Sequence, residues 1–256
     1  MIKLLMHGCN GKIGQTISRL LSQRDDIELV AGVDPYLGLP NNFPVFASID
    51  ECDIPVDVII DFSTSTAVKA LTDYAVAHNI PTVVCTTGLS TEDMEHLTDA
   101  SKTIPIFFSA NMSLGVNLLI ALAKRATEVL SGSGFDIEII EKHHNQKIDA
   151  PSGTALAIAD AINESLDNSY EYRYDRSTVR EKRPKQEIGI HAVRGGTIVG
   201  EHEILFAGND EFISLTHQAT SKEVFAVGAI NAAKFLASKK NCGLYNMEHL
   251  LDESIR

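Results

Sequence analysis

The first half of the chain alternates short, almost wholly apolar runs with longer segments of helical periodicity. The run IKLLMHG is followed by the helical pattern GKIGQTISRLLSQ and then by a second apolar run, IELVAGVD. Three more apolar runs, VDVIIDFS, PTVVCTT and IPIFFSAN, are separated by two further helical patterns. Because such strands are buried on both faces, the pattern predicts a parallel sheet covered by helices on each side. Residues 1–112 therefore predict a Rossmann-like, doubly wound α/β domain.

The pattern changes after residue 112. A long helical segment leads to the strand FDIEIIEKHH, the helix PSGTALAIADAI and three runs that alternate apolar with polar residues. Gly195-Gly196 and Gly208-Asn209-Asp210 separate these runs, so we predict two consecutive hairpins in an α+β domain. We expect residues 113–221 to form this domain, for substrate binding and oligomerisation, and residues 222–256 to return to the first domain. The charged segment 170–186 is interpreted as a solvated connection, with an oligomer contact as the alternative.

Composition and charge argue against some classes of binding partner. The chain has 256 residues, 44% of them hydrophobic, and 22 basic against 34 acidic side chains give a net charge of -12. Such a balance disfavours nucleic acids and anionic membranes as partners, and no apolar run reaches the ~18 residues that a membrane span needs. The four cysteines are scattered without metal-ligand spacing. We therefore expect a cytoplasmic protein with reduced thiols and no bound metal.

A glycine-rich loop lies between the first strand and the first helix. Its spacing, Gly8, Gly11 and Gly14, allows a tight turn and a close approach of backbone N–H groups to a pyrophosphate. Asp34 ends the second strand about 20 residues later, where dinucleotide-binding folds hold the ribose hydroxyls. A purely structural turn is the alternative. The candidate cofactor contacts here are Gly8, Cys9, Asn10, Gly11, Lys12, Ile13 and Asp34.

Asp34 also bears on the choice between the two nicotinamide cofactors. A carboxylate accepts a hydrogen bond from a 2′-hydroxyl but repels a 2′-phosphate, and Pro35 and Tyr36 follow it instead of a basic residue. We therefore expect NADH to be preferred, with Lys12 allowing NADPH to bind. Two later strand ends fall on the same carboxyl edge of the sheet, where cofactors bind. They add the candidates Cys85, Thr86, Thr87, Ser109, Ala110, Asn111 and Met112, for which ordinary turn residues are the alternative.

The segment EKHHNQKIDAPSGTA carries the candidate chemistry. Successive side chains of an extended strand point to opposite sides, so His143 and His144 should have different roles. Hydride transfer from a nicotinamide leaves a proton to be supplied, which a histidine or Lys147 can do. The N–H groups of Gly153 and Thr154, at a helix start, can bind a carboxylate. A metal site would need further convergent ligands, and a structural histidine is the remaining alternative.

Several segments together resemble one known family. GCNGKIG, DFSTSTA, CTTG, SANMSLGVN, EKHHNQKIDAPSGTA and RGGTIVGEHEILF are similar, in this order, to 4-hydroxy-tetrahydrodipicolinate reductase, also called dihydrodipicolinate reductase. The resemblance covers nearly the whole chain and implies an NAD(P)H-dependent enzyme of lysine and diaminopimelate biosynthesis. It implies a small cyclic dicarboxylate substrate and a homotetramer. By the same resemblance His143 is the catalytic proton donor or acceptor and Lys147 is a second proton donor, while His144, Gly153 and Thr154 bind the substrate.

Three positions depart from the family pattern: Cys85 where Gly is frequent, Met112 where Phe is frequent, and Lys222 where Arg is expected. We expect the first two to alter cofactor fit and the third to alter domain closure, and none of them removes a proton donor or the anion site. Three other functions remain as alternatives: another Rossmann-type oxidoreductase acting on a small carboxylate, a semialdehyde dehydrogenase using Cys85 as nucleophile, and a non-catalytic NADH-sensing regulator. Neither the order of proton transfer between His143 and Lys147 nor feedback regulation follows from the sequence.

Overall fold

The computed structural model describes residues 1–254. The chain forms two compact units. Unit 1 contains Met1–Leu114 and the chain from Glu223 onward, and unit 2 contains Gly115–Lys222. The boundaries expected from the sequence lie within two residues of these, while the assignment of a function to each unit stays a prediction. None of the helices in residues 1–254 has the length and apolar character needed to cross a membrane.

Unit 1 is built on a seven-stranded sheet in which every pair of neighbouring strands is parallel. The predicted doubly wound α/β fold is confirmed. The strand order is β12-β6-β5-β4-β1-β2-β3. The strands are β1 (Ile2–His7), β2 (Ile27–Val33), β3 (Val45–Phe46), β4 (Val58–Asp61), β5 (Thr82–Val84), β6 (Pro105–Phe108) and β12 (Gly243–Tyr245).

Helices cover both faces of this sheet. They are α1 (Lys12–Leu21), α2 (Ser65–His78), α3 (Thr91–Ala100), α6 (Glu223–Ala237) and α7 (Met247–Ser254). Alternate residues of β1 enter different cores, because Leu4 and Met6 pack in one apolar cluster and Leu5 in the other. The start of α3 is fixed by a reciprocal capping box between Ser90 and Asp93. Strands β3 and β12 and helix α7 were not predicted from the sequence.

Unit 2 has a five-stranded mixed sheet with the order β11-β10-β7-β9-β8. Its helices pack on one face, where they bury an isoleucine-rich core. The strands are β7 (Asp136–His143), β8 (Glu171–Arg173), β9 (Glu187–Arg194), β10 (Gly200–Ala207) and β11 (Phe212–Ala219). The helices are α4 (Leu114–Leu130) and α5 (Gly153–Glu164).

One of the two predicted hairpins is wrong. Strands β10 and β11 form a hairpin across Gly208-Asn209-Asp210, but β9 and β10 do not pair with each other. Strand β7 lies between them, parallel to β9 and antiparallel to β10. The Gly195-Gly196 segment crosses the end of β7, where Gly195 N–H donates to His143 O at 2.9 Å and Asn145 N–H donates to Gly196 O at 3.2 Å. These glycines therefore support the histidine segment instead of forming a tight turn.

The segment 170–186, which we interpreted as a solvated connection, contains a strand and several ion pairs. It contains β8, which adds a strand to the edge of the sheet. Arg176 and Arg183 both pair with the buried Glu187, and Arg183 also contacts Asp136 and Glu138. The arginines thus compensate a carboxylate that has been removed from water.

Candidate active site

The glycine loop of unit 1 fits a phosphate-bearing ligand. Gly8 has a φ of +82°, and a Cβ there would lie 2.5 Å from the carbonyl oxygen of Phe62. A Cβ on Gly14 would lie 2.3 Å from Gly8 O, so close packing of α1 on β1 requires both glycines. Gly11 precedes α1 without a side-chain cap, and no acidic residue lies in the first turn of this helix. The amides that open α1 are therefore suited to an anion.

Asp34 is held in place beside this loop. Its Oδ2 accepts from Asn10 N–H at 3.0 Å and its Oδ1 from Tyr36 N–H at 2.9 Å. A carboxylate has about four acceptor positions, so the two that remain can accept from ribose hydroxyls. Dinucleotide-binding folds hold ribose hydroxyls with a carboxylate at this position relative to the glycine loop. Lys12 lies exposed at the first position of α1.

The two later strand ends contain both buried and exposed candidates. Cys9, Cys85 and Met112 are 0%, 5% and 3% exposed and belong to the apolar core of unit 1, so only their backbones are available to a ligand. Thr87 and Ala110 are exposed. The Ser109 hydroxyl donates to Asn111 O, and Asn111 Oδ1 accepts from Ser113 N–H. Ile13 is half-buried against the same core.

The Cys85 thiol is not suited to nucleophilic attack. Burial raises its pKa well above the usual value, and the nearby charge of Asp61 raises it further. Nucleophilic cysteines need the opposite change, toward the thiolate. The semialdehyde dehydrogenase alternative therefore lacks its reactive group.

In unit 2, β7 ends at His143, which is 8% exposed. His143 Nδ1 lies 2.5 Å from Oε2 of Glu141, the preceding residue on the same face of the strand. An ionised carboxylate only accepts hydrogen bonds, so Nδ1 carries a proton. The other ring nitrogen, Nε2, is therefore the one that can exchange a proton with a ligand. Nε2 points toward Gly200, where a Cβ would approach to 3.2 Å.

Glu141 is fully buried and accepts four hydrogen bonds. Besides His143, its donors are both terminal nitrogens of Arg194, at 2.7 and 2.8 Å, and Ser152 N–H at 3.0 Å. Burial alone would raise the pKa of Glu141, but the hydrogen bonds from Arg194, His143 and Ser152 outweigh it and the pKa is lowered. The carboxylate is thus kept ionised beside the imidazole.

The start of α5 forms the next part of the site. Ser152 caps this helix, because its hydroxyl oxygen accepts from Ala155 N–H at 3.2 Å. The same oxygen lies 3.2 Å from Nε2 of His202, whose ring stands edge to face against His143 at 5.2 Å. Burial lowers the pKa of His202 to about 4, and the charge of His143 contributes in the same direction. His202 is therefore neutral at physiological pH.

A carboxylate already occupies part of the predicted anion site. Lys147 Nζ lies 2.8 Å from Asp149 Oδ1, and the hydrogen bond from Lys147, together with one from the backbone N–H of Gly153, lowers the pKa of Asp149. These two groups are among those expected to bind the substrate carboxylate. Thr154 follows Gly153 in the first turn of α5. His144 is half-buried, and its Nδ1 has no hydrogen-bond partner among the described residues.

Sequence reasoning missed several polar residues of these two clusters. In unit 2 they are Glu141, Arg194 and His202, and in unit 1 they are His7 and Asp61. The signal that could have found them is a polar residue at an inward-facing position of an otherwise apolar strand. Burying such a side chain costs free energy unless it has a hydrogen-bond partner. Glu141, His143 and His202 all occupy such positions. Among residues 1–254, no cluster has the composition of a metal site.

Comparison with known proteins places both units in one family. Family models described as dihydrodipicolinate reductase, N-terminus, and dihydrodipicolinate reductase, C-terminus, match residues 2–112 and 115–251. The 4-hydroxy-tetrahydrodipicolinate reductase of Caldanaerobacter subterraneus subsp. tengcongensis is 55% identical over 251 residues, covering 98% of each chain. That of Clostridium novyi is 45% identical, with the same coverage.

Solved structures agree with this assignment. A dipicolinate-bound dihydrodipicolinate reductase from Paenisporosarcina sp. TG-14 superposes with a TM-score of 0.82 at 26% identity, covering 96% of this chain and 97% of that one. A probable dehydrogenase from Thermotoga maritima has a TM-score of 0.64 at 12% identity and shares the fold alone. The resemblance inferred from the sequence motifs is confirmed.

Proposed function

Since the chain belongs to the dihydrodipicolinate reductase family, we propose that it reduces 4-hydroxy-tetrahydrodipicolinate to tetrahydrodipicolinate in lysine and diaminopimelate biosynthesis. The overall change adds one hydride and one proton and releases water, so the protein must supply a proton donor. The observation that carries the proposal is the His143 imidazole, whose Nδ1 is fixed by the buried Glu141. The substrate class agrees with the dipicolinate bound by the Paenisporosarcina relative.

In unit 2, we propose that His143 donates a proton to the substrate from Nε2. Its Nδ1 proton is donated to Glu141, so Nε2 is the ring nitrogen that faces a ligand. Lys147 is proposed as the second donor and as a positive charge for a substrate carboxylate. We assign the substrate carboxylates to His144 and to the N–H groups of Gly153 and Thr154. The contacts of the Asp149 carboxylate with Lys147 and Gly153 N–H support this assignment.

Activity is tested by following nicotinamide absorbance with the purified protein and freshly made product of the preceding synthase. Turnover is expected, and its absence with both NADH and NADPH would exclude the proposed reaction. His143→Gln should lower kcat by about 10²- to 10⁴-fold, the usual contribution of a general acid. His191→Gln is the matched control, because His191 lies on the next strand and pairs with Glu138 on the other face of the sheet. Thr154→Val should mainly raise KM.

The cofactor is proposed to be a nicotinamide dinucleotide held by unit 1, with NADH preferred over NADPH. When bound, it supplies the hydride. The loop residues Gly8 to Ile13 would hold the pyrophosphate, and Asp34 would accept from the adenosine ribose hydroxyls. The rest of the cofactor is assigned to the residues at the two later strand ends. The buried ones would contact it through their backbones. These residues are Cys85, Thr86, Thr87, Ser109, Ala110, Asn111 and Met112.

The preference is tested by comparing kcat/KM for the two cofactors. Asp34→Ser should raise the value for NADPH relative to NADH, because it removes a charge that repels the 2′-phosphate. Asp57→Ser is the matched control: Asp57 also accepts a backbone N–H, from Lys3, but lies before β4 at the opposite end of the sheet. A wild-type preference for NADPH would contradict the proposed role of Asp34.

We also propose a homotetramer in the cytoplasm, assembled through unit 2. The face of the five-stranded sheet away from its helices carries Val193 and Phe212, which are 44% and 73% exposed, and the half-buried Ile140 and Leu205. Exposed apolar residues on an open sheet face favour association with a second copy. Light scattering after size exclusion should give a tetramer for the wild type and smaller species for Phe212→Asp. A monomeric wild type would exclude the assembly.

A further inference from the structure

One buried imidazole beside His143 has no role in the proposed reaction so far. His202 of β10 is the register partner of Glu141 in β7, and both side chains lie on the helix-covered face of the unit 2 sheet. His202 is 4% exposed, and its Nδ1 has no hydrogen-bond partner within residues 1–254. A buried polar atom without a partner lowers stability, and an apolar side chain would avoid this cost. The imidazole is therefore unfavourable for stability alone, and a functional reason for it is expected.

Two contacts of the His202 ring lead to the groups that carry the proposed chemistry. The ring stands edge to face against that of His143, with 5.2 Å between the centroids and 74° between the planes. Its Nε2 lies 3.2 Å from the hydroxyl oxygen of Ser152. The same oxygen caps α5 by accepting from Ala155 N–H. His202 thus contacts both the proposed proton donor and the helix start that is proposed to bind a substrate carboxylate.

These contacts add to what Glu141 provides. Glu141 holds His143 at one ring atom, Nδ1, and holds Ser152 only through its backbone N–H. A ring that is held at one atom can still tilt, and an edge-to-face neighbour opposes this because such pairs have a preferred geometry. Burial, and then the charge of His143, lower the pKa of His202 to about 4. His202 therefore adds no positive charge that would disfavour protonation of His143.

We propose that His202 is a positioning residue with two separable functions. Its ring keeps the His143 imidazole oriented for proton transfer, and its Nε2 holds the Ser152 cap, so that the N–H groups at the start of α5 stay aligned for a substrate carboxylate. Loss of the ring should then lower kcat, whereas loss of the Nε2 contact should weaken binding of the dicarboxylate. This inference rests on the proposed reduction of a cyclic dicarboxylate.

Two substitutions of His202 separate the two functions. His202→Phe keeps an aromatic ring against His143 but cannot form a hydrogen bond with Ser152. It should raise KM for the substrate by about threefold to tenfold and leave kcat within about twofold of the wild type. The dissociation constant of dipicolinate, the ligand bound by the Paenisporosarcina relative, should rise by the same factor in titration calorimetry.

His202→Gln makes the opposite change, because its side-chain amide can still reach Ser152 but offers no ring to His143. It should lower kcat by about threefold to tenfold and leave KM and the dissociation constant of dipicolinate within about twofold of the wild type. His191→Gln is the matched control, since it makes the same substitution on the opposite face of the sheet. It should change none of the three constants.

A double-mutant cycle tests the part of the proposal that concerns Ser152. Once Ser152 is alanine, His202→Phe should weaken dipicolinate binding no further, whereas independent and additive losses would overturn the role of this contact. Urea unfolding checks that each variant is folded. If His202→Phe does not fold, Ser152→Ala removes the same contact from the other side and takes its place. If His202→Gln does not fold, His202→Asn is used.

The split between kcat and KM distinguishes positioning from a general loss of packing. The proposal is overturned if both His202 variants change kcat and KM in parallel, or if neither variant changes them. A wild type that turns over the substrate and binds dipicolinate, with variants that lack the expected split, refutes this inference alone. A wild type that does neither refutes the proposed function, and this inference with it.

Discussion

Replacing Glu141 with glutamine tests whether this buried carboxylate controls the proton on His143. Each carboxylate oxygen accepts from two donors: Oε2 from His143 and Arg194, and Oε1 from Arg194 and Ser152 N–H. Whichever way the amide turns, its NH₂ group therefore faces two donors. Arginine and a backbone N–H cannot accept, so the imidazole is the only neighbour that can change its role. We expect His143 to move its proton from Nδ1 to Nε2.

The size of the effect follows from burial and from the role of the proton. Removing the charge from a buried, fully paired network typically costs about 3–5 kcal/mol of the free energy of unfolding. For catalysis we expect kcat to fall by about 10²-fold, while KM for the substrate changes by less than about threefold.

The assay is steady-state NADH oxidation over a range of pH, together with urea unfolding. Glu138→Gln is the matched control, because Glu138 lies on the same strand but on the opposite face, where it pairs with Arg183 and His191. It should keep the wild-type kcat and pH profile. If Glu141→Gln is folded and retains kcat within about twofold at every pH, Glu141 does not act through His143 and the reasoning is refuted.

Three further predictions concern single residues. Asp149→Asn should lower KM by about twofold to fivefold, because an exposed carboxylate no longer competes for Lys147 and Gly153 N–H; a higher KM would show that Asp149 orients Lys147 instead. The pKa of His202 is depressed to about 4 in the folded protein, so its contribution to stability is present above the unfolded value and is lost as the pH falls toward 4. In urea unfolding, the free energy of unfolding of the wild type should therefore fall by about 2 kcal/mol between about pH 7 and about pH 5. The fall should be smaller in His202→Gln, and an equal fall in both proteins would contradict this role. Cys85→Ser should leave kcat near the wild-type value, since the thiol is protonated and buried, whereas a large loss would restore the thiol as a reactive group.

The fold of unit 1 could be predicted because its signals are local. Near-continuous apolar strands, glycine at the first turn and helices of regular period all agree with one architecture. The sequence gives no comparable signal for β3 or β12, which are two and three residues long and owe their pairing to neighbouring strands. The order of strands in unit 2 also depends on distant contacts. A glycine pair between two alternating runs is typical of a hairpin, yet β7 takes the place beside both β9 and β10.

The sequence singled out the residues of the candidate site but not the hydrogen-bond partners that hold them. His143, Lys147 and the start of α5 stood out because a histidine pair and a lysine precede a capped helix in an acidic chain. Arg194 did not, since it lies 51 positions after His143 and only the sheet register brings it to Glu141. Apolar periodicity says nothing about which distant donor satisfies a buried carboxylate.

The position of β7 at the centre of its sheet has a consequence for how the protein acquires activity. Both strands that border it, β9 and β10, come later in the chain, and Arg194 and Gly200 arrive with them. The loop that must close before His143 is fixed is therefore long, and contacts of this range form slowly. During synthesis the segment with His143 and Lys147 would be complete well before the residues that immobilise it. Catalytic competence should thus appear only once the chain beyond β10 has been made, and not when the segment with His143 and Lys147 is complete.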